Sequence, residues 1–542
     1  MRIDANGPEA RYDPPLMRLF SRQLVTTVLL YAWATATAPA RVRAETVEPL
    51  RRPVASITHF PGVTGLAVSP DGKFIATAGV DGTARLWDPA SGKEVRVLKG
   101  HEGRVTAIAF ARGGSVLVTG AADGVVRLWE VASAQLLNQL RGHTGQVRTL
   151  AVSGDGRRIA SGGFDKTICL WDVADGSLLR QMRPYHYKPG DNPEEGVVET
   201  LALSPDGSVL ASGHRVFDFH VHVWDANSGA ELAKLEDESN HVAAVLFSAD
   251  GATLASVGTR GRDINLWETA TWRLRRRLKL ARQPWEFPGA FSPDGWRLLA
   301  GSGTGLTVWD LSTGERAGSL TGGHRSRVCG MAYFPGGKRV ASASLDGTGF
   351  AWDAGAFSHD PSIPPAEPLT GSQLEQLWAD LAVEDAAKSY DAIWALAGAP
   401  AQAVPLLAQR IQPEEPVDEN QVRKWVAEMD DESFRVREHA TRELGRLGDA
   451  AEPFLRQAVA NRPSVEVAQR VEMLLNSIAA PTLDADALRA VRSVEILERI
   501  GTAEARSALE KLGAGVTGSK VKRRAQAAAA RLDAAAQLRK SP

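Results

Sequence analysis

The chain has 542 residues, 44% hydrophobic and 23% charged, with 63 Lys and Arg against 64 Asp and Glu. This length exceeds one ordinary core and predicts two or more domains. The formal charge of -1 excludes a general electrostatic drive toward nucleic acid or anionic membrane. The two cysteines, Cys169 and Cys329, fit no metal or redox spacing and exclude a disulfide framework.

The first 44 residues have the pattern of a secretory leader. A basic stretch from Met17 precedes an apolar run over 24–38, and residues 42–44 are small at the first and last positions. This order predicts a signal peptide cleaved after Ala44 and export to the periplasm or beyond. The apolar run also fits an uncleaved membrane anchor, and a retained leader on a cytoplasmic protein is a third possibility. Translation begins at Met1 or at Met17.

A Trp followed by an acidic residue recurs seven times, with successive spacings of 42, 42, 53, 43, 42 and 43. Each unit holds four short alternating stretches separated by turn residues such as Ser-Pro-Asp-Gly at 69–72, which predicts a four-stranded antiparallel sheet. A period in the low forties with four strands per unit is typical of a β-propeller blade. The seven residues are Trp87, Trp129, Trp171, Trp224, Trp267, Trp309 and Trp352.

These units resemble the WD40 repeat family over residues 52–353. The resemblance implies an all-β propeller of seven blades, which we place at 45–356. No outer strand follows Trp352, whereas the stretch 53–62 aligns with the outer strand of a repeat. The resemblance therefore implies that the amino-terminal strand pairs into the last blade and closes the ring.

The resemblance also implies an internal hydrogen-bonded chain of His, Asp, hydroxyl and Trp side chains. Although His, Asp and Ser together can act as a catalytic triad, this set recurs in several units, so we expect a structural role and no enzyme activity. The fifth and sixth units have Gly261 and Gly303 at the Asp position. The residues concerned are His101, His143, His324, Asp81, Asp123, Asp165, Asp218 and Asp346, with Thr77, Ser161, Ser212 and Ser342 as hydroxyls.

Two further features suggest ligand chemistry. His220 and His222 share one face of a predicted strand, a spacing that suits a metal, but the sequence shows no third ligand. We therefore expect no metal and no cofactor. The insertion 183–196 holds two Tyr, a His and three Pro, so it is either a contact element or a solvated loop.

Partners of WD40 propellers often bind one rim of the ring, and that resemblance selects a set of rim positions here. An apolar rim with charges beside it suits a protein or peptide partner. The alternative is that its aromatic residues are buried between blades. The predicted rim consists of Arg148, Phe164, Glu199, Phe217, Phe287 and Leu345.

A Pro-rich linker at 357–372 precedes a region at 373–542 whose apolar period changes from two to about 3.6, which predicts helices. Gly398, Gly448 and Gly501 occupy matching turns in three helix–turn–helix units, 50 and 53 residues apart. This region resembles HEAT repeats, which stack as a solenoid. Its basic end lacks the aromatic residues that stack on bases, so no nucleic-acid partner is expected.

The two regions together predict a non-catalytic protein–protein interaction scaffold, with a partner on the propeller rim or on the concave helical surface. The alternative is a metal- or small-ligand-binding propeller, or an enzyme, that uses the central channel or the insertion 183–196. The partner, the oligomeric state and the placement of the helices against the ring do not follow from the sequence.

Overall fold

The computed structural model describes residues 45–47, 53–54, 62–184, 196–215, 220–236, 242–258, 263–280, 288–357, 368–411, 418–460, 464–479, 484–515 and 520–540. The predicted leader, most of the insertion 183–196, Phe217, Asp218, Gly261 and Phe287 lie outside these residues. No helix within the described ranges is both long enough and apolar enough to span a membrane.

The strands follow one another with the short spacing that the repeat predicts. In chain order they are β1 (Glu45–Val47), β2 (Pro53–Val54), β3 (Val63–Val68), β4 (Ile75–Gly79), β5 (Ala84–Trp87), β6 (Glu94–Leu98), β7 (Val105–Ala111), β8 (Val116–Ala121), β9 (Val125–Glu130), β10 (Leu136–Arg141), β11 (Val147–Val152), β12 (Arg158–Gly163), β13 (Ile168–Asp172), β14 (Leu178–Met182), β15 (Val198–Leu203), β16 (Val209–His214), β17 (His220–Asp225), β18 (Glu231–Glu236), β19 (Val242–Phe247), β20 (Thr253–Gly258), β21 (Asp263–Glu268), β22 (Leu274–Lys279), β23 (Gly289–Phe291), β24 (Arg297–Ser302), β25 (Gly305–Asp310), β26 (Arg316–Leu320), β27 (Val328–Tyr333), β28 (Arg339–Ser344) and β29 (Gly349–Asp353).

The described strands form seven sheets, which confirms the predicted seven-bladed propeller. Blades 1 to 6 each take four consecutive strands in antiparallel order, from β3–β6 for blade 1 to β23–β26 for blade 6, and blade 7 contains β27–β29. The first strand of each blade contacts the first strand of the next, and β27 contacts β3, so the ring is closed. We call the face of the ring that carries the turns between first and second strands and between third and fourth strands the lower face, and the opposite face the upper face.

Alternation of side chains explains why each repeat folds into a blade. The second and third strands are almost wholly buried, as in β8 and β9, whereas the outer strand β6 alternates between exposed and partly buried positions. The lower-face turns are fixed locally, because Ser69 Oγ donates to Asp71 Oδ1 at 2.6 Å and accepts from Phe74 N at 2.9 Å. Gly72 adopts φ +70° in that turn, a conformation that favours glycine.

The amino-terminal segment closes the ring as predicted. Strand β2 pairs antiparallel with β29, with Pro53 opposite Phe350 and Val54 opposite Gly349, and thereby supplies the outer strand of blade 7. Strand β1 was not predicted, and it pairs parallel with β26 as a fifth strand of blade 6. Both pairings cover outer sheet edges that would otherwise present unpaired backbone groups.

The carboxyl-terminal region is helical, as the change of period predicts. Its described helices are α1 (Gly371–Asp380), α2 (Ala386–Ala397), α3 (Pro400–Arg410), α4 (Glu419–Glu428), α5 (Phe434–Leu447), α6 (Glu452–Ala460), α7 (Val465–Ala479), α8 (Ala485–Ile500), α9 (Ala503–Gly513) and α10 (Lys520–Lys540). The three predicted turns separate α2 from α3, α5 from α6, and α8 from α9. Gly501 adopts φ +63° where α8 ends, which explains the glycine there.

The helices bury their apolar faces in two separate cores. Helices α2, α3, α8, α9 and α10 share one continuous core with blades 5 and 6, in which Trp296 and Trp394 lie 4.7 Å apart between ring centroids. Helices α4 to α7 form a second core around Val422, Leu444 and Val471. The first and third helix–turn–helix units therefore pack together, and the order of packing differs from the order along the chain.

Candidate functional site

The WD40 residues of blades 2 and 3 form the hydrogen-bonded chain that the resemblance implies. In blade 3, Trp171 Nε1 donates to Ser161 Oγ at 2.8 Å, His143 Nε2 lies 2.8 Å from the same hydroxyl, and His143 Nδ1 lies 3.0 Å from Asp165. Blade 2 repeats the arrangement with Thr119 as the hydroxyl, between Trp129 at 2.8 Å and His101 at 2.7 Å. Thr119 was not among the hydroxyls singled out from the sequence.

Other blades keep parts of this chain. Trp352 and His324 both bond to Ser342 in blade 7, but His324 Nδ1 meets Thr348 Oγ1 at 2.8 Å instead of the turn aspartate Asp346. The indoles of blades 1, 4 and 5 donate to hydroxyls at 2.9 Å. Those pairs are Trp87 with Thr77, Trp224 with Ser212, and Trp267 with Ser256.

Blade 6 lacks this hydrogen bond. Trp309 Nε1 is buried and has no partner among the described residues. Because Trp309 lies opposite Leu298, the position that holds Thr119 in blade 2 is occupied by Ala300. The departure that the sequence shows at Gly303 therefore extends to the hydroxyl position.

The histidine of this hydrogen-bonded chain differs in charge between blade 2 and blade 3. Burial, together with the Arg127 guanidinium, lowers the pKa of His101 to about 4, so His101 is neutral at pH 7. Burial also opposes the charged form of His143, but hydrogen bonds to Asp165 and Cys169 outweigh it and raise its pKa to about 9. Cys169 occupies the strand position that holds Arg127 in blade 2, so each blade keeps one cation beside its turn aspartate.

These His, Asp and hydroxyl groups have a structural role. Thr119, Ser161 and Ser342 are completely inaccessible, and each accepts a hydrogen bond from a tryptophan indole. A substrate cannot reach such a hydroxyl, whereas nucleophilic catalysis needs an accessible one. The repeated set therefore stabilises blades by satisfying buried polar groups.

His220 and His222 lie on β17, as predicted, with ring centroids 6.5 Å apart. His222 is buried, stacks on Trp224 at 5.6 Å between ring centroids and is hydrogen-bonded to Glu231 through Nδ1. His214 lies 5.2 Å from His222 between ring centroids and bonds to Ser212. Within the described part of the chain, no group of three or more His, Cys, Asp or Glu has metal-binding geometry.

The charged members of the predicted rim bind each other. Arg148 Nε lies 3.0 Å from Glu199 Oε1, and this bond joins the first strands of blades 3 and 4. Equivalent positions bridge other blades, because Thr106 Oγ1 donates to Val147 O at 2.5 Å and Cys329 Sγ donates to Val63 O at 3.0 Å. The inner end of the rim thus holds neighbouring blades together.

The apolar members lie further out on the upper face. Phe164 is 36% exposed in the turn between β12 and β13, and Leu345 is half-buried in the equivalent turn of blade 7. Phe217 and Phe287 lie outside the described residues. Among the described residues, the other exposed large apolar side chains of the propeller are Leu136, Leu137, Leu178 and Leu179, on the outer strands of blades 2 and 3. Adjacent leucines in an alternating strand are a sequence signal for these sites.

A buried charge cluster joins the helices to the lower part of blade 5. Glu268 binds Arg492 through two bonds of 2.8 and 2.9 Å, and Arg275 binds both Glu268 at 3.1 Å and Glu495 at 2.7 Å. Arg499 binds Glu495 at 2.8 Å. Burial tends to raise the pKa of Glu268, but its bonds to Arg492 and the charge of Arg275 lower it to about 2.

Sequence reasoning missed this cluster, although a signal was present. Residues 492, 495 and 499 are spaced so that they share one face of α8, and β22 has three consecutive arginines at 275–277. Charged residues on a face that must pack against another element point to an interface with matching charges.

Comparison with known proteins agrees with the fold. The sequence profile of the family described as "WD domain, G-beta repeat" matches residues 51–88, 92–130, 134–172, 189–225 and 314–353. The unmatched stretch between the last two segments holds blade 5 and the first three strands of blade 6, and the helices pack on these two blades.

Three curated relatives match parts of the chain. WD repeat-containing protein VIP3 of Arabidopsis thaliana is 31% identical over 26% of this chain and 48% of its own length. Cell division cycle 20.1, cofactor of APC complex, from the same organism is 28% identical over 26% of this chain and 31% of its own. Periodic tryptophan protein 2 of Arabidopsis thaliana is 27% identical over 33% and 21%. The matches thus span less than half the length of each relative. The chain contains WD40 repeats and a seven-bladed propeller, followed by a helical region.

Proposed function

We propose that this protein is a non-catalytic interaction scaffold whose protein or peptide partner binds blades 2 and 3 of the propeller. One observation carries the proposal: within the described propeller, every exposed large apolar side chain lies on those two blades. Exposed apolar surface on a soluble protein is typical of an interaction site. One of the relatives is named as a cofactor of a complex, which supports a scaffold role.

The placement of the helices supports the same surface. The described helices pack on blades 5 and 6 and reach the lower-face turns, where Arg499 Nη1 donates to Gly295 O at 2.8 Å. Phe164 lies in an upper-face turn of blade 3. The described helices therefore pack on a part of the ring other than blades 2 and 3.

Photocrosslinking from defined positions tests the site. Benzoylphenylalanine replaces Phe164 in one full-length variant and Arg157, in a lower-face turn of the same blade, in a matched control, and both are irradiated in the native cells. We expect position 164 to give discrete crosslinked proteins that position 157 does not give. Equal crosslinking from both positions, or from neither while the partner still copurifies, would show that the upper face of blade 3 is not the site.

Exposed apolar side chains on helices α5 and α7 support a second surface that the partner contacts. Phe434, Val465 and Met473, on α5 and α7, are 62%, 76% and 56% exposed. We propose that this group extends the partner-binding surface. Met473→Ser should weaken partner copurification but leave the crosslinks from position 164 in place, whereas an unchanged yield would restrict the site to the propeller.

We also propose that the protein is exported and begins at Glu45 after cleavage of the leader. The support is the order of basic, apolar and small residues before that position. Mass spectrometry of the protein from its own cells identifies the amino terminus. A terminus at Glu45 in the exported fraction is expected, and a cytoplasmic chain that keeps residues 17–44 would contradict export.

A further inference from the structure

A cavity of about 540 Å³ lies between the lower face of blades 4 and 5 and helices α6, α7, α8 and α10. This volume is within the range of about 300–1,000 Å³ typical of small-molecule sites. One part of its wall is apolar, and another part is rich in arginine. The apolar part consists of Leu232, Phe247, Trp272, Leu475, Ile478 and Val491.

Most basic side chains of the cavity wall have acidic partners. Arg523 and Arg456 bind Glu452 at 2.8 and 2.9 Å. Arg531 binds Glu498 at 2.6 Å, and Lys520 lies 3.3 Å from Asp449. These four cations are neutralised within the protein.

Arg524 differs from them. Among the described residues, its guanidinium makes one hydrogen bond, to Thr269 Oγ1 at 3.3 Å, and forms no ion pair. Arginine carries five N–H donors, so most of its hydrogen-bonding capacity remains available on the cavity wall. Burial lowers the pKa of Arg524, because dense protein surrounds it and opposes its charge.

The carboxylates nearest to Arg524 are engaged elsewhere. Their charges act on Arg524 without forming ion pairs with it. Glu495 binds Arg275 and Arg499, Asp250 accepts from Arg499 Nη2 at 3.3 Å, and Asp206 accepts from Ser204 Oγ at 2.6 Å. Because these carboxylates accept from other donors, the remaining N–H groups of Arg524 are available to the oxygens of an anionic ligand.

Trp272 is the largest apolar side chain of the cavity wall. It adopts φ +55° in the turn between β21 and β22, a backbone conformation that is strained for a tryptophan. The equivalent position has a positive φ in five other blades, at Gly92, Ala134, Gly176, Gly229 and Gly314. This conformation therefore belongs to the repeat, and in blade 5 it is a tryptophan that contributes its apolar side chain to the cavity wall.

We propose that this cavity binds a small organic anion, with its phosphate or carboxylate group on Arg524 and its apolar body beside Trp272. The site goes beyond the proposed scaffold function. A ligand there contacts both the propeller and the helices, so binding also links the two regions.

Calorimetry on the purified full-length protein tests the proposal. The probes are phenyl phosphate, benzoate, inorganic phosphate and the uncharged benzyl alcohol. We expect phenyl phosphate or benzoate to bind, inorganic phosphate to bind about tenfold or more weakly than phenyl phosphate because it lacks the apolar body, and benzyl alcohol not to bind. Equal binding of all four probes, or of none, would overturn the proposal. Preference for phenyl phosphate or for benzoate distinguishes the two anion classes.

Two variants and one control locate the site. Arg524→Met should reduce the affinity for the preferred anion by about tenfold to a hundredfold, the range for a charge-assisted hydrogen-bonded pair. Arg506→Met removes an arginine of α9 that is paired with Glu510 and with Asp533 of α10, and it should leave the affinity unchanged. Ala527→Trp fills the cavity without altering Arg524 and should also abolish binding. Unchanged affinity in Arg524→Met and in Ala527→Trp would place the anion elsewhere and overturn the proposal.

Discussion

Arg492 of α8 lies 2.8 Å from Glu268 of β21, and the two side chains are 0% and 1% exposed. This pair joins the helical region to the propeller through charges that have no access to water. Arg492 also donates to Leu381 O and Val383 O, both at 2.7 Å, so its position is fixed on three sides. The interface is therefore part of the folded core, and the two regions are expected to unfold together.

Arg492→Met is expected to lower the free energy of unfolding by about 3–5 kcal/mol, because it leaves Glu268 buried with one arginine fewer. Urea denaturation followed by tryptophan fluorescence measures this change. Arg506→Met serves as the control, since Arg506 is 44% exposed and should cost no more than about 1 kcal/mol. A loss in Arg492→Met as small as in the control would contradict a tightly coupled interface.

Ala300→Ser is expected to stabilise the protein by about 0.5–1.5 kcal/mol, because the new hydroxyl gives Trp309 Nε1 the partner it lacks. Thermal unfolding measured by calorimetry detects the gain. The reverse change in blade 2, Thr119→Ala, should cost about 1–3 kcal/mol since it leaves Trp129 Nε1 buried without a partner. Destabilisation by Ala300→Ser would mean that the hydroxyl does not reach the indole.

The stability of blade 3 is expected to depend on pH through His143. Its pKa is about 9 in the folded protein and about 6.5 when unfolded, so the charged form is favoured by folding. The contribution, about 3 kcal/mol, is fully present below pH 6.5 and is lost as the pH rises to 9. His143→Gln should remove this dependence between pH 6.5 and 9 in urea titrations.

His101 provides the matched control for this prediction. Its folded pKa of about 4 is depressed, so its stabilising effect is present above pH 6.5 and is lost as the pH falls toward 4. His101→Gln should therefore change the acid limb of the stability profile and leave the alkaline limb intact. The opposite pattern in the two variants would show that the charges are assigned to the wrong blades.

Gly156→Ala is expected to cost at least 3 kcal/mol, because φ is +68° there and the added Cβ would lie 2.3 Å from Arg112 N. Gly303→Ala is the control for backbone strain alone, because Gly303 has φ +66° but open space where a Cβ atom would lie. That control should cost about 1–2 kcal/mol. Chemical denaturation compares the two variants, and equal losses would rule out the contact with Arg112.

The propeller could be predicted because its signal is repeated and local. Each blade carries its own Trp, turn residues and alternating strands, and the stretch 53–62 supplied the missing outer strand of blade 7. Strand β1 was missed since three residues pairing in parallel leave no recognisable pattern. The helices were predicted from their period, and their turns at Gly448 and Gly501 from the expected breaks.

The interfaces could not be predicted in the same way. Pairs such as Arg492 with Glu268 and Arg524 with Thr269 join residues more than 200 positions apart, and one sequence gives no indication of which distant faces meet. The sequence does indicate indirectly that blades 5 and 6 differ from the other blades. Their sequences depart from the WD40 pattern at Gly261 in the fifth unit and at Ala300 and Gly303 in the sixth, and they are the blades on which the helices pack.

Ring closure has a consequence for how this protein is made. Val54 leaves the ribosome early, yet its strand partner Gly349 emerges only after all the other blades have been synthesised. Contacts between such distant positions form slowly, because the intervening chain must be ordered first. The helices that pack on blades 5 and 6 are synthesised later still. The ring therefore cannot close until residue 349 has been translated, and the helices can pack on blades 5 and 6 only after that.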